Sequence, residues 1–288
     1  MEKLKSLAEQ GGWFSDVLGD RDLILGIRDN YVNVYWRGQS LFRISGRNGP
    51  LSVTTHPKYL IDPRLSKSVS FDGRAFEVGE HKALTTKYDG ETLGRMKRAA
   101  GLYALDEKKG VHAVVRANPN VIDMEVAFNC EAEEENESHT PRIDLACFEK
   151  LDGEIRLCFW EAKLYRNDEL FANGDTDAAV VEQIKTYRDL IEKHRQEIVD
   201  SYRLVACNLA EMASWAPVRK PGALVEQIAG DPAVPIDAGP FVGLIVYGFD
   251  AAQRDSLRWK THKAKLTGFP VVAAGDAKNI KLHWKHSS

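Results

Sequence analysis

The stretch Arg142-Ile143-Asp144-Leu145-Ala146-Cys147-Phe148-Glu149-Lys150-Leu151-Asp152-Gly153-Glu154-Ile155-Arg156-Leu157-Cys158-Phe159-Trp160-Glu161-Ala162-Lys163 decides how this chain is read. Two largely apolar runs flank Asp152-Gly153, a dipeptide that tolerates positive φ and is among the strongest two-residue hairpin signals. With Asp152 and Gly153 as the loop, Leu151 faces Glu154 and every opposing pair of positions adds to 305. Asp144 and Glu161 then face each other, with Cα atoms roughly 4.5–5.5 Å apart.

Like charges opposed in a sheet are destabilising, and Ile143, Leu145, Ala146, Phe159 and Trp160 give these two apolar surroundings. A divalent cation offsets that cost, since two carboxylates, a backbone carbonyl and waters suit Mg²⁺ or Mn²⁺. Alternation along the strand puts Lys163 on the same face as Glu161. Paired acids with an adjacent ammonium suit phosphodiester hydrolysis: the metal polarises phosphate and activates water, and the lysine orients the nucleophile or stabilises developing charge. The bland alternative is a salt-bridged cluster at an exposed sheet edge, which the apolar flanks disfavour.

Upstream, Leu93, Met96, Ala100, Leu102 and Tyr103 predict a buried helical face, and Asp106 to Arg116 a second helix ending before Asn118-Pro119. Strands are predicted at Val121 to Phe128, Arg142 to Phe148 and Ile155 to Tyr165, with the acidic Glu131 to Ser138 as a solvated loop. Val180, Ile184, Tyr187, Ile191, His194 and Ile198 recur at helical spacing, with Asp175 and Thr176 as a polar start. Five prolines between Pro217 and Pro240 predict an irregular connection, before a buried strand at Val242 to Phe249 and a closing helix at Gln253 to Leu266. Helix, three strands, helix, strand is a mixed α/β unit whose central sheet is flanked by helices.

These residues resemble the PD-(D/E)XK, or restriction-endonuclease-like, nuclease superfamily. Its signature is an acid on the second core strand and E-x-K on the third, matched by Arg142-Ile143-Asp144-Leu145 and Trp160-Glu161-Ala162-Lys163. Gln183-Ile184-Lys185-Thr186-Tyr187 looks like the Q-x-x-x-Y helix of the RecB-like branch. The resemblance covers about 95 to 250, and Ile143 stands where many members have proline. It implies a restriction-endonuclease-like core with Asp144, Glu161 and the Ala162 carbonyl on Mg²⁺ or Mn²⁺. Lys163 would assist the attacking water, with Gln183 and Tyr187 beside the site. An upstream acid found in many members is matched by Glu107, or alternatively by Glu125 on the first strand.

The first 85 or so residues read as a β-rich module. Leu23 to Arg28 and Tyr31 to Trp36 form a hairpin about Asp29-Asn30, and Leu41 to Ser45 and Leu51 to Thr55 continue across Gly46 to Pro50. The division expected is a module over 1–88 and a nuclease-like domain over 89–288.

The chain has 288 residues, 43% of them hydrophobic, and 39 basic against 42 acidic side chains give a formal charge of −3. That excludes collagen-like and globally disordered chains and partners held by bulk charge alone. Four cysteines without a C-x-x-C pair form neither a zinc ribbon nor a disulfide framework. Cys147 and Cys158 oppose each other as buried thiols, and His194 is a packing or solvent-edge residue. Met1 to Gln10 carries no signal-like apolar run, so a cytoplasmic, unanchored protein is expected. No phosphate-binding loop of the G-x-x-x-x-G-K-[ST] type is present.

Charge is segregated: residues 121–140 carry −7, 94–116 carry +4 and 251–288 carry +6. Arg254, Arg258, Lys260 and Lys263, with Lys265 and Trp259, offer a phosphate-contacting helix. The expectation is a Mg²⁺- or Mn²⁺-dependent DNA nuclease, with a homodimer allowed. The rival is a non-catalytic nucleic-acid-binding or assembly protein on the same fold.

Overall fold

The structure is a computed structural model that describes residues 1–28, 30–46, 50–60, 69–77, 87–128, 141–172 and 176–284. The chain is mixed α/β and divides into two compact units, Met1–Lys109 with Leu204–Pro221, and Gly110–Arg203 with Gly222–Ser288.

In the first unit, α1 (Glu2–Glu9) and α2 (Trp13–Gly19) precede a six-stranded antiparallel meander of β1 (Ile24–Ile27), β2 (Tyr31–Trp36), β3 (Gln39–Ser45), β4 (Ser52–Thr55), β5 (Val69–Phe71) and β6 (Phe76–Glu77). The expected first hairpin forms, with Ile24 opposite Tyr35 and Ile27 opposite Val32. Asp29 of its turn and residues 47–49 of the next turn lie outside the described residues. Val32 and Val34 alternate into a core with Phe14, Phe42 and Phe71.

The helix α3 (Thr92–Gly101) also belongs to this unit, so the division does not fall at 88/89. Its buried face explains why, because Leu93, Met96 and Ala100 join that same core. Met212, from the distal part of a later helix, joins it too.

The second unit takes up most of α4 (Asp106–Ala117), then β7 (Val121–Ala127), β8 (Arg142–Leu151), β9 (Glu154–Leu164), α5 (Ala179–Lys193) and the start of α6 (Arg195–Trp215). After α7 (Ala223–Gly230) come β10 (Ile236–Asp237), β11 (Val242–Tyr247), α8 (Ala251–Asp255), α9 (Leu257–Lys263) and β12 (Val271–Ala274). The sheet order is β12-β11-β9-β8-β7, antiparallel through β7, β8 and β9 and parallel from β9 to β12, with β10 pairing β9. Every residue of β11 is buried, as a strand covered on both faces requires. Tyr202 and Phe128 pack on Phe159 from one face, and Gly110 of α4 lies against Tyr247 on the other.

Four helical expectations are corrected. Leu102 and Tyr103 do not belong to the buried face of α3, because the helix ends at Gly101 and both side chains are exposed. The long helix breaks at His194, which caps α5 before α6 begins. Its start is at Ala178 without a side-chain cap, so Thr176 does not cap it, and Asp175 lies outside the described residues. The closing helix is two pieces, because Ser256 is extended and its hydroxyl accepts the Trp259 N–H as a new N-cap. The proline-rich connection contains α7 and β10, and the acidic segment 131–138 lies outside the described residues. Among the described residues no helix is long and apolar enough to cross a membrane.

Candidate metal centre

The hairpin turn is built as its sequence requires, with Asp152 at φ 50° and Gly153 at φ 87°, the paired positive values of a tight strand-matching turn. It sets the register from Leu151 opposite Glu154, through Cys147 opposite Cys158, to Leu145 opposite Trp160. Asp144 and Glu161 come next along the two strands, just past the last paired residues. Phe159 and Tyr165 donate their N–H groups to Phe241 and Tyr247 beside β11, so even-numbered β9 residues direct theirs to β8. Glu161 is odd, so in a continued ladder its opposition to Asp144 would be a non-hydrogen-bonded one.

At that point the ladder is interrupted. Ala162 N–H, which a continued ladder would give to the Ile143 carbonyl, instead donates to Asp144 Oδ2 at 2.9 Å. In a regular strand the Ala162 carbonyl shares the side of its own N–H, the side of β8. Asp144, Glu161 and Lys163 are only 6%, 4% and 6% exposed, rare burial for charged groups.

Lys163 Nζ lies 2.8 Å from Glu161 Oε1 and 2.5 Å from Glu169 Oε2. Burial alone would lower the lysine pKa, but the two carboxylates outweigh it and hold it above the usual value. Glu169 was not anticipated from the sequence. It sits in a 3-10 turn, Asp168–Leu170, fixed by Asn167 Oδ1 accepting the Glu169 N–H at 3.0 Å and by the fully buried Leu170. The cap residue followed by two acids marks the turn, but nothing in the sequence aims Glu169 at Lys163.

Gln183 and Tyr187 meet on α5, one turn apart, with Gln183 Nε2 donating to Tyr187 Oη at 2.9 Å. Tyr187 Oη in turn donates to the Arg142 carbonyl, two residues before Asp144. Burial, then the negative charge of Glu161, with a further contribution from Asp144, push the phenol pKa up. The hydroxyl therefore stays a donor at neutral pH, and both carboxylates lie within its electrostatic reach.

The upstream acids behave differently. Met124 opposite Leu145 and Val126 opposite Ile143 place Glu125 across from Asp144 on the neighbouring strand. Glu125 has φ 55°, a left-handed conformation that costs about 1–3 kcal/mol in a non-glycine residue. Glu107 lies in the first turn of α4 and belongs to the first unit, so the second unit does not itself bring it to the pair. Among the described residues no group of three or more His, Cys, Asp or Glu side chains is arranged to hold a metal. The donor set is thus two carboxylates and a carbonyl. That suits Mg²⁺ or Mn²⁺, since Mg²⁺ commonly keeps several waters and uses one or two carboxylates plus substrate phosphate.

The predicted basic helix is α8 with α9. Arg254 pairs with Asp255 at 2.8 Å, Arg258 stacks 4.1 Å from the Phe171 ring centre, and Lys260 and Lys263 are exposed. Trp259 is buried against Tyr165, so it anchors α9 and does not face solvent. Cys147 and Cys158 are buried free thiols whose pKa burial pushes up. Compared with protein-family models, curated proteins and solved structures, the chain finds no match.

Proposed function

We propose that the chain is a Mg²⁺- or Mn²⁺-dependent nuclease of the PD-(D/E)XK type that hydrolyses phosphodiester bonds in DNA. The observation that carries this reading is the burial of Asp144, Glu161 and Lys163 just past the last β8–β9 pair, with Ala162 N–H on Asp144 and the lysine on Glu161. The order α4, β7, β8, β9, α5, β11 supports it, being the helix, three strands, helix and strand of that core. So does the Gln183–Tyr187 pair, fixed to the start of β8.

Asp144, Glu161 and the Ala162 carbonyl would hold the cation, which when bound polarises the phosphate and lowers the pKa of water. Asp144 is oriented by the Ala162 N–H. Lys163, held by Glu161 and Glu169, would orient the nucleophile and offset charge on the phosphate. Tyr187 and Gln183 fix the β8 end that presents Asp144. The test incubates supercoiled, linear and single-stranded DNA with Mn²⁺ and wild type, Asp144→Ala or Lys163→Ala protein. Cleavage by the wild type alone is expected, and equal cleavage by all three proteins would sink the assignment.

One observation favours the rival, a non-catalytic nucleic-acid-binding protein: Lys163 is ion-paired with both Glu161 and Glu169, which offsets part of their charge. Calorimetric titration with Mn²⁺ separates the two readings. Binding that disappears in Asp144→Ala supports the nuclease, and no binding by the wild type supports the rival.

A further inference from the structure

We infer that α8 and α9 grip a nucleic-acid strand beside the candidate centre, and that Leu257 is a wedge that favours unpaired bases. This deepens the nuclease reading and rests on its nucleic-acid substrate. The segment that leaves the centre and the basic helices form one packed body. Tyr165, two residues after Lys163, packs on Trp259 at 5.4 Å and on Phe249 at 5.7 Å, and its hydroxyl donates to the Gln253 carbonyl at 3.3 Å. Phe171, two residues after Glu169, meets His262 edge-on at 5.1 Å, while Ala172 N–H donates to His262 Nδ1 at 3.2 Å. The surface on α9 is therefore held at a fixed distance from the residues that clamp Lys163.

Its chemistry fits a polyanion. Residues 250–265 carry five Lys or Arg against two Asp, a local charge of +3 in a chain of −3. Arg258 is pre-positioned by stacking on Phe171, which leaves its planar guanidinium less rotamer freedom to lose on meeting a phosphate. Between Arg254 and Arg258 stands Leu257, 81% exposed, a large apolar side chain within a cationic surface. Beside phosphate-contacting cations, an exposed leucine is suited to inserting against a base. In a duplex that insertion must first unstack a base step, at a cost of a few kcal/mol, whereas unpaired bases present their faces without it. The expected substrate is thus single-stranded DNA or a frayed end.

Fluorescence anisotropy in EDTA, with a labelled single strand and the duplex of the same sequence, tests this on the full-length protein. Leu257→Ser should weaken single-strand binding about tenfold and leave duplex binding unchanged, and Leu257→Phe should retain the single-strand preference. Replacing Arg258, Lys260 and Lys263 together by alanine should weaken both, cutting the slope of log affinity against log salt by about 2. Wild-type binding that neither change alters overturns the inference, as does a Leu257→Ser effect confined to self-association. A parallel Mn²⁺ cleavage assay keeps the two claims apart. Cleavage with binding indifferent to α9 removes the inference and leaves the nuclease; α9-dependent binding without cleavage does the reverse.

Discussion

The Asp144 carboxylate replaces a backbone ladder bond, and that explains how an acid sits opposite Glu161 in an apolar sheet. Its Oδ2 takes the Ala162 N–H, so one desolvated charge gains a donor while the repulsion with Glu161 remains. An asparagine would keep the bond and lose the charge. Asp144→Asn is therefore expected to keep the fold, with stability unchanged or raised by up to about 1 kcal/mol, and to lose roughly 100-fold or more in Mn²⁺-dependent cleavage. Urea denaturation beside the cleavage assay reads both, and a large loss of stability would show the carboxylate to be structural. Tyr187→Phe removes the donor to the Arg142 carbonyl and the acceptor for Gln183. Leaving those groups short of a partner should cost about 1–3 kcal/mol, with weaker Mn²⁺ binding by calorimetry because the Asp144 end of β8 loosens. The register leading to these residues was legible in the sequence, because Asp152-Gly153 fixes it as far as Leu145 opposite Trp160. Glu169 was not, since it reaches Lys163 through a turn whose direction only tertiary packing sets.

At the scale of elements, the second unit depends on a close approach of α4 to the sheet. A Cβ on Gly110 would fall 2.1 Å from the Tyr247 ring. Gly110→Ala gains at most about 1 kcal/mol in helix propensity, less than the roughly 1–3 kcal/mol of overpacking, so a net loss is expected in chemical denaturation. The start of α3 is controlled electrostatically. Arg95 bonds both oxygens of Asp89 at 2.7 Å, and with the Glu91 N–H and the Thr92 hydroxyl it lowers the Asp89 pKa from 3.8 to about 2. A depressed carboxylate pKa contributes stability above its unfolded value and loses it as pH falls through the folded one. The first unit should therefore lose stability as pH falls from 3.8 towards about 2, and Asp89→Asn should blunt that loss in urea midpoints measured across the window. The helix breaks show where element reading stops. Ser256 is a good cap, yet Gln253 to Leu266 reads equally as one helix, and the break is decided by Trp259 packing under Tyr165. Leu93, Met96 and Ala100 form the apolar face of α3 as their spacing predicts, but Leu102 and Tyr103 lie past its end and are exposed; which core that face joins is a long-range fact that periodicity does not contain.

For the whole molecule, the net charge of −3 hides a cationic surface on α8 and α9 and buried acids at the centre, so total charge says little about the partner. The path of the chain matters more. It leaves the first unit at Lys109 and returns for residues 204–221, carrying Met212 into that unit's core. Removing residues 1–88 would thus strip the cover from Leu93, Met96, Ala100 and Met212 together. A chain starting at residue 89 is expected to be insoluble or to bind a hydrophobic dye, and a soluble monomer with sharp melting would contradict this. Two units also mean that a single two-state transition is not assured. Because Asp144, Glu161 and Ala162 all belong to the second unit, a cation bound there stabilises that unit directly. A ligand held only by the folded state contributes RT ln(1 + [L]/Kd), about 2.7 kcal/mol at 100 times Kd. Calorimetric melting with increasing Mn²⁺ should accordingly raise the transition that contains the second unit, and the rise should vanish in Asp144→Asn. If the wild type shows no shift at Mn²⁺ concentrations that support cleavage, the metal is held by something other than this pair.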